Sequence, residues 1–170
     1  MNVITARNEH LGHLCAITAS AKEQMRGLGI DQWQKGYPAR EDWEQALAAG
    51  KVTALEEDGE ILAACIYQTA PEPSYAAIDG AWLTAGEYVS VHRMCVAKEA
   101  RGRGLAGELF RLGEELARRE GMPSVRVDTH EGNLPLRRAL EKAGYTCCGV
   151  IIIRGSVEDG DPRVAYEKRI

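Results

Sequence analysis

Apolar positions change their period repeatedly along the chain, and each change marks an element. Runs that alternate, or stay apolar for a few residues, predict strands at Val3–Ala6, Lys51–Glu57, Glu60–Thr69, Tyr88–Val96, Ser124–Thr129, Tyr145–Ile153 and Arg163–Lys168. Asp58-Gly59, between the second and third of these, is a tight-hairpin signal. Leu11, Leu14, Ile17/Thr18, Ala21 and Met25 recur at helical spacing, with Asn8 as the expected cap and Gly27 and Gly29 as the stop. A brief helix is predicted around Asp42–Ala49, ending at Gly50. Leu105–Glu120 carries the strongest helical pattern. Leu105, Leu109, Leu112 and Leu116 form its stripe, and Glu114/Arg118 and Glu115/Arg119 are spaced i,i+4 on the opposite face. Asn133 is the expected cap of a short helix holding Leu136, Leu140 and Ala143, which Gly144 terminates. Residues 74–86 read mostly as connection. The predicted order is β-α-α-β-β-β-α-β-α-β-β: a mixed α/β fold of about seven strands and four helices, in a single domain over residues 1–170.

Composition narrows the class. At 170 residues the chain can bury a real core, and 45% hydrophobic with 27% charged residues is ordinary for a globular domain. A net charge of −4 argues against a nucleic-acid binder. No apolar run reaches the roughly 20 residues of a membrane span. The N-terminus, MNVITARNEH, lacks the basic-then-apolar pattern of a secretory signal. Cys15, Cys65, Cys95, Cys147 and Cys148 are odd in number and form no C-x-x-C pair, so reduced thiols in a cytoplasmic protein are expected, with no metal.

The chemistry concentrates in VHRMCVAKEARGRGLAGELF, Val91–Phe110. A strand leads into Arg101-Gly102-Arg103-Gly104-Leu105-Ala106, an R-x-x-G-x-A loop, and a helix follows at once. Gly102 and Gly104 permit close backbone approach, the first N–H groups of the helix lack partners, and the dipole adds about half a positive charge there. This is an anion cradle. It is not a nucleotide P-loop, since RGRGLAG has no Lys-Ser/Thr. The dinucleotide fingerprint belongs near a chain's first strand, with an acidic residue about 20 positions on, and fits less well.

In that β-loop-α context the loop resembles the acetyl-coenzyme A signature of the GCN5-related N-acetyltransferase (GNAT) superfamily. The upstream hairpin, strand 124–129, Asn133 and the Gly144-Tyr145 strand start follow in the family's order. DQWQKGYP (31–38), GAW (80–82), VHR (91–93), DTH (128–130) and RVAYEK (163–168) resemble a group of its bacterial members. The resemblance implies acetyl transfer from acetyl-CoA to a primary amine of a small molecule or peptide, by direct attack in a ternary complex; the oligomeric state, monomer or homodimer, stays open. It implies a pyrophosphate on Arg101, Gly102, Arg103, Gly104, Leu105, Ala106 and Gly107. It places a pantetheine arm on the strand edge Met94, Cys95 and Val96, where strands 88–96 and 124–129 splay, with a contact from Asn133. A backbone N–H near Met94 or Cys95 would polarise the acetyl carbonyl. Where many members carry a tyrosine acid, four residues before Gly144, this chain has Leu140. That departure opens a second reading, a non-catalytic acyl-CoA sensor.

The candidates for proton transfer are Glu87, His92, His130 and Tyr145. Each has a structural alternative: a solvated strand end, a sheet histidine, a turn histidine capping the next helix, and core packing. Asp128 could orient His130. An acyl-cysteine route through Cys95 or Cys147 is disfavoured, because free cysteine is usually a small buried residue. Trp33, Tyr37 and Trp82 are candidate acceptor walls, or plugs beneath a long loop. Arg93 is a candidate clamp for an acceptor carboxylate, or the partner of an acid such as Asp128.

Overall fold

The computed structural model describes all 170 residues, Met1–Ile170. Its elements are β1 (Asn2–Thr5), α1 (Leu11–Gly27), α2 (Arg40–Ala48), β2 (Val52–Glu57), β3 (Glu60–Gln68), β4 (Asp79–Gly80), β5 (Val89–Val96), α3 (Leu105–Glu120), β6 (Ser124–Thr129), α4 (Leu134–Lys142), β7 (Thr146–Ile152) and β8 (Pro162–Arg169). The strands form one mixed eight-stranded sheet in the order β1-β2-β3-β5-β6-β8-β7-β4. The pairing of β5 with β6 is parallel and covers Val89–Val91 and Val125–Val127.

The eighth strand is β4, which the apolar pattern did not predict. Two residues leave no period to read. Its pairing with β7 brings Gly80 against Gly149, and a Cβ on either would run into a carbonyl of the other strand. The β2–β3 hairpin turns as expected: Asp58 and Gly59 both have positive φ (53° and 85°), the signature of a tight primed turn.

Two further expectations change. Asn8 does not cap α1. It lies in a 3-10 turn, Asn8–His10, in which His10 Nδ1 accepts the Arg7 N–H at 2.9 Å. Glu114 does not sit on a solvated face of α3. It is buried, and Lys168 Nζ donates to it at 2.8 Å while Arg118 stands off at 3.8 Å.

The chain divides into two compact units. Met1–Tyr67 with His92–Leu109 form the first; Gln68–Val91 with Phe110–Ile170 form the second. In the first, Leu14, Trp43, Val52, Ala54, Leu55, Ala64 and Cys65 are fully buried. The indole N–H of Trp43 donates to Thr18 Oγ1 (3.0 Å), which donates to the Leu14 carbonyl (2.7 Å), so the buried polar atoms are satisfied. In the second, Tyr75, Tyr88, Ile151 and Ala165 pack with Ile78, Trp82 and Ile153. Beside them the buried Glu167 accepts from Ser124 Oγ (2.6 Å), Thr84 Oγ1 (2.6 Å), Arg126 Nε (3.1 Å) and the Leu83 N–H. Arg126 lies between the Trp82 and Tyr88 rings, 4.2 and 4.0 Å from their centroids. That network ties residues 82–84 to β6 and β8. No helix is long and apolar enough to cross a membrane.

Candidate active site

The glycine loop belongs to the first unit. Gly102 and Gly104 each have φ of 81°, and the space where a Cβ would stand is open at both. The first α-helical bond of α3 is Glu108 N–H to Gly104 O, at 3.2 Å. The N–H groups of Leu105, Ala106 and Gly107 therefore precede any helical partner. The loop's arginines serve the loop itself. Arg101 Nη2 donates to Ser20 Oγ (3.0 Å) and Ser20 O (3.3 Å) on α1, and Arg103 Nη2 reaches both oxygens of Glu57 at 2.9 and 3.0 Å. The unpaired positive end is thus backbone.

Upstream of the loop, β5 carries an irregularity. Arg93 has φ of 51°, the left-handed region, inside a strand. Such a non-glycine residue costs about 1–3 kcal/mol and persists only where its surroundings enforce it. Its side chain is held at several points. Arg93 Nε donates to Tyr37 Oη (2.8 Å), Nη1 donates to the Asp42 carbonyl (2.6 Å), and Nη2 lies 3.8 Å from Asp42 Oδ1. The guanidinium also faces the Tyr37 and Trp43 rings, at 5.2 and 5.8 Å. Asp42 Oδ2 in turn accepts the Ala39 N–H at 2.6 Å, closing the first turn of α2. Asp42 and Trp43 did not stand out in the sequence. The only signal was their place in the helix that follows the aromatic loop.

That loop is itself fastened to α1. Lys22 Nζ donates to the Pro38 carbonyl (2.8 Å), and Gln34 Nε2 donates to the Lys22 carbonyl (3.0 Å). Trp33 is buried and Tyr37 half-buried. His92 and Met94 are half-buried beside Arg93, as is Val96 further along. Cys95 is buried; its thiol donates to the Ala64 carbonyl at 3.9 Å, and burial pushes its pKa up to about 12. It stays protonated, which removes it as a nucleophile.

The first unit therefore gathers Trp33, Tyr37, His92, Arg93, Met94, Cys95, Val96 and Arg101–Gly107. Glu87, Trp82, His130, Asn133 and Tyr145 belong to the second. Glu87 is exposed. Trp82 donates from Nε1 to the Tyr75 carbonyl at 3.1 Å, and its ring lies 5.2 Å from that of Tyr75. Asp128 accepts from Tyr75 Oη at 2.7 Å, and His130 Nδ1 accepts the Gly132 N–H at 3.0 Å. Asn133 caps α4 as expected, Oδ1 accepting the Leu136 N–H at 3.4 Å while Nδ2 donates to Thr129 Oγ1 at 3.1 Å. Leu140 is fully buried. Tyr145 is 4% exposed, its ring 5.2 Å from Phe110, and its hydroxyl has no hydrogen-bond partner. Burial, and then the Glu114 charge, push its pKa far above the ordinary value of 10.0.

Comparison with known proteins places the chain in a family. The profile of the Acetyltransferase (GNAT) family matches residues 14–145. A GNAT-family acetyltransferase from Streptococcus agalactiae has a TM-score of 0.85 at 31% identity, over 99% of this chain and 95% of that one. The NatB acetyltransferase complex, whose structure holds CoA and MES, has a TM-score of 0.70 at 14% identity, over 100% and 99%; that likeness is one of fold. The chloroplastic GCN5-related N-acetyltransferase 6 of Arabidopsis thaliana is 33% identical over 61 residues, 36% of this chain and 21% of the plant protein. The match thus spans about a fifth of that relative's length. With most of its length inside the family profile, the chain belongs to the acetyltransferase (GNAT) family.

Proposed function

We propose that the protein is an acetyl-CoA-dependent N-acetyltransferase that acetylates the primary amine of a small molecule or peptide by direct attack in a ternary complex. The observation that carries this reading is the pairing of a left-handed residue in β5 with a glycine loop opening α3. The residues present fit the coenzyme. The N–H groups of Leu105, Ala106 and Gly107, with Gly102 and Gly104 open to solvent beside them, suit a pyrophosphate. The family uses acyl-CoA donors, and the CoA held by the NatB complex, a protein of the same fold, supports the choice. The family profile runs through both units, which supports treating residues 1–170 as one acetyltransferase domain.

Bound acetyl-CoA supplies a thioester carbon open to attack by an amine. In this reading Arg101–Gly107 hold the pyrophosphate. The edge Met94–Val96 pairs with the amide-bearing arm. A left-handed residue turns the peptide that follows it, so the Met94 N–H is the donor best aimed at the thioester carbonyl. His92, half-buried and next to that residue, accepts the proton the amine must lose. Glu87 and His130 are the alternatives for that step. Trp33 and Tyr37 wall the acceptor. The burial of Tyr145, its unpartnered hydroxyl and its contact with Phe110 favour packing over protonation of the thiolate. The five free cysteines suit a reducing, cytoplasmic location.

Leu140, fully buried where a tyrosine is common in the family, favours a second reading as a non-catalytic acyl-CoA sensor. Titration calorimetry with acetyl-CoA tests what the two share; no heat at millimolar ligand overturns both. A broad amine screen with detection of released thiol separates them, since turnover on any amine eliminates the sensor.

A further inference from the structure

The left-handed residue of β5 is a large, charged one, and its side chain is committed inward. Nothing about an oxyanion hole requires arginine at that position. A glycine would adopt the same backbone freely. Arginine adds a fork whose Nε, Nη1 and Nη2 are all directed at Tyr37 and Asp42, the loop and first turn of α2. Asp42 is at the same time the carboxylate that closes that turn on Ala39. Loop 31–39, in its turn, is fastened to α1 through Lys22 and Gln34. A continuous chain of hydrogen bonds therefore runs from the loop expected to face the acceptor to the backbone angle that aims the Met94 amide. The strained residue thus makes these side-chain contacts itself, and such strain persists where surroundings over-determine it.

We propose that Arg93 is a positioning residue: its guanidinium, held by Tyr37 and Asp42, keeps residue 93 left-handed and so aims the Met94 N–H at the thioester carbonyl. Arg93 is thus occupied by the protein and does not clamp an acceptor carboxylate. The order of loop 31–39 becomes a condition for polarising the donor. The inference rests on the acetyltransferase reading above and deepens it.

The test uses the full chain and acetyl-CoA carrying 13C at the acetyl carbonyl, with Arg93→Ala, Arg93→Lys and Tyr37→Phe beside the unsubstituted protein. Three quantities are read: affinity for acetyl-CoA by calorimetry, the carbonyl stretching frequency of the bound thioester, and the rate of thiol release by acetyl-CoA hydrolysis without an amine. In hydrolysis water adds to the carbonyl carbon, the C–S bond breaks, and acetate and CoA thiol leave. The unsubstituted protein should lower the carbonyl frequency relative to free acetyl-CoA. Arg93→Ala should abolish that lowering and slow hydrolysis at least about tenfold, with affinity changed less than about threefold. Arg93→Lys, with a point charge in place of a fork, should recover only part of the lowering. Tyr37→Phe, which deletes one acceptor and no packing, should give a smaller loss in the same direction. A folded Arg93→Ala or Tyr37→Phe protein with an unchanged carbonyl frequency overturns the proposal and leaves the acetyltransferase reading standing. An unsubstituted protein that fails to bind acetyl-CoA overturns that reading, and this one with it.

Discussion

Arg103 Nη2 lies 2.9 and 3.0 Å from the two carboxylate oxygens of Glu57, at the end of β2. The most exposed cation of the glycine loop is therefore already paired, within its own unit, before any phosphate arrives. The cradle's pull on an anion comes from backbone N–H groups and the dipole of α3, which no side-chain substitution removes. Both partners are substantially exposed, so the pair is worth at most about 1 kcal/mol. Arg103→Ala should weaken acetyl-CoA binding by less than about threefold in calorimetry. Glu57→Gln, which releases the arginine, should tighten binding at low salt and lose that gain at high salt.

Gly104 gives the opposite expectation. At φ of 81° a side chain is strained whatever room surrounds it, at about 1–2 kcal/mol. The open space beside it is also where a phosphate would approach. Gly104→Val should lower acetyl-CoA affinity more than tenfold while lowering the melting temperature by only a few degrees, roughly 2–4 °C per kcal/mol for a chain of this size.

Replacement of the proton acceptor should separate chemistry from donor binding. His92→Ala is expected to lower kcat about 100-fold on an amine found by screening, with acetyl-CoA affinity unchanged. Glu87→Gln and His130→Ala should each stay within about threefold of the parent. If Glu87→Gln instead produces the large loss and His92→Ala does not, the base has been misassigned.

The Arg126–Glu167 pair should dominate acid stability. Burial alone would raise the pKa of Glu167, but hydrogen bonds from Ser124, Thr84, Arg126 and the Leu83 N–H outweigh it and hold the carboxyl below its ordinary 4.5. A depressed folded pKa stabilises the protein fully above the unfolded value, and the contribution is lost as pH falls through the folded value. Melting temperature should therefore decline as pH drops below about 4.5, and Glu167→Gln should flatten that decline. Arg126→Ala strands a buried carboxylate and should cost about 3–5 kcal/mol at neutral pH, read by chemical denaturation.

Tyr145→Phe should do little. The hydroxyl is buried without a partner, so deleting it removes a desolvation cost and leaves the contact with Phe110 intact. Stability should be equal or slightly higher, and turnover within about twofold. A large loss of kcat with unchanged stability would restore Tyr145 as the acid.

Most of the frame was readable from local rules. Leu105–Glu120 and Ser124–Thr129 begin and end where glycine, proline and the apolar period say, and Asn133 caps α4 through its own side chain. The R-x-x-G-x-A loop identified the family because its function depends on backbone conformation, which glycines encode within a few neighbours. What local rules could not supply is any feature made by residues far apart in the chain. β4 exists only because Gly149 leaves room for Gly80. Glu114, spaced for a solvated pair with Arg118, is buried by Lys168 from β8, 54 positions away. Above all, Arg93 reads in the sequence either as a clamp for an acceptor carboxylate or as the partner of an acid such as Asp128. The tertiary structure decides, because Tyr37 and Asp42, 56 and 51 positions upstream, satisfy its guanidinium beside a left-handed backbone.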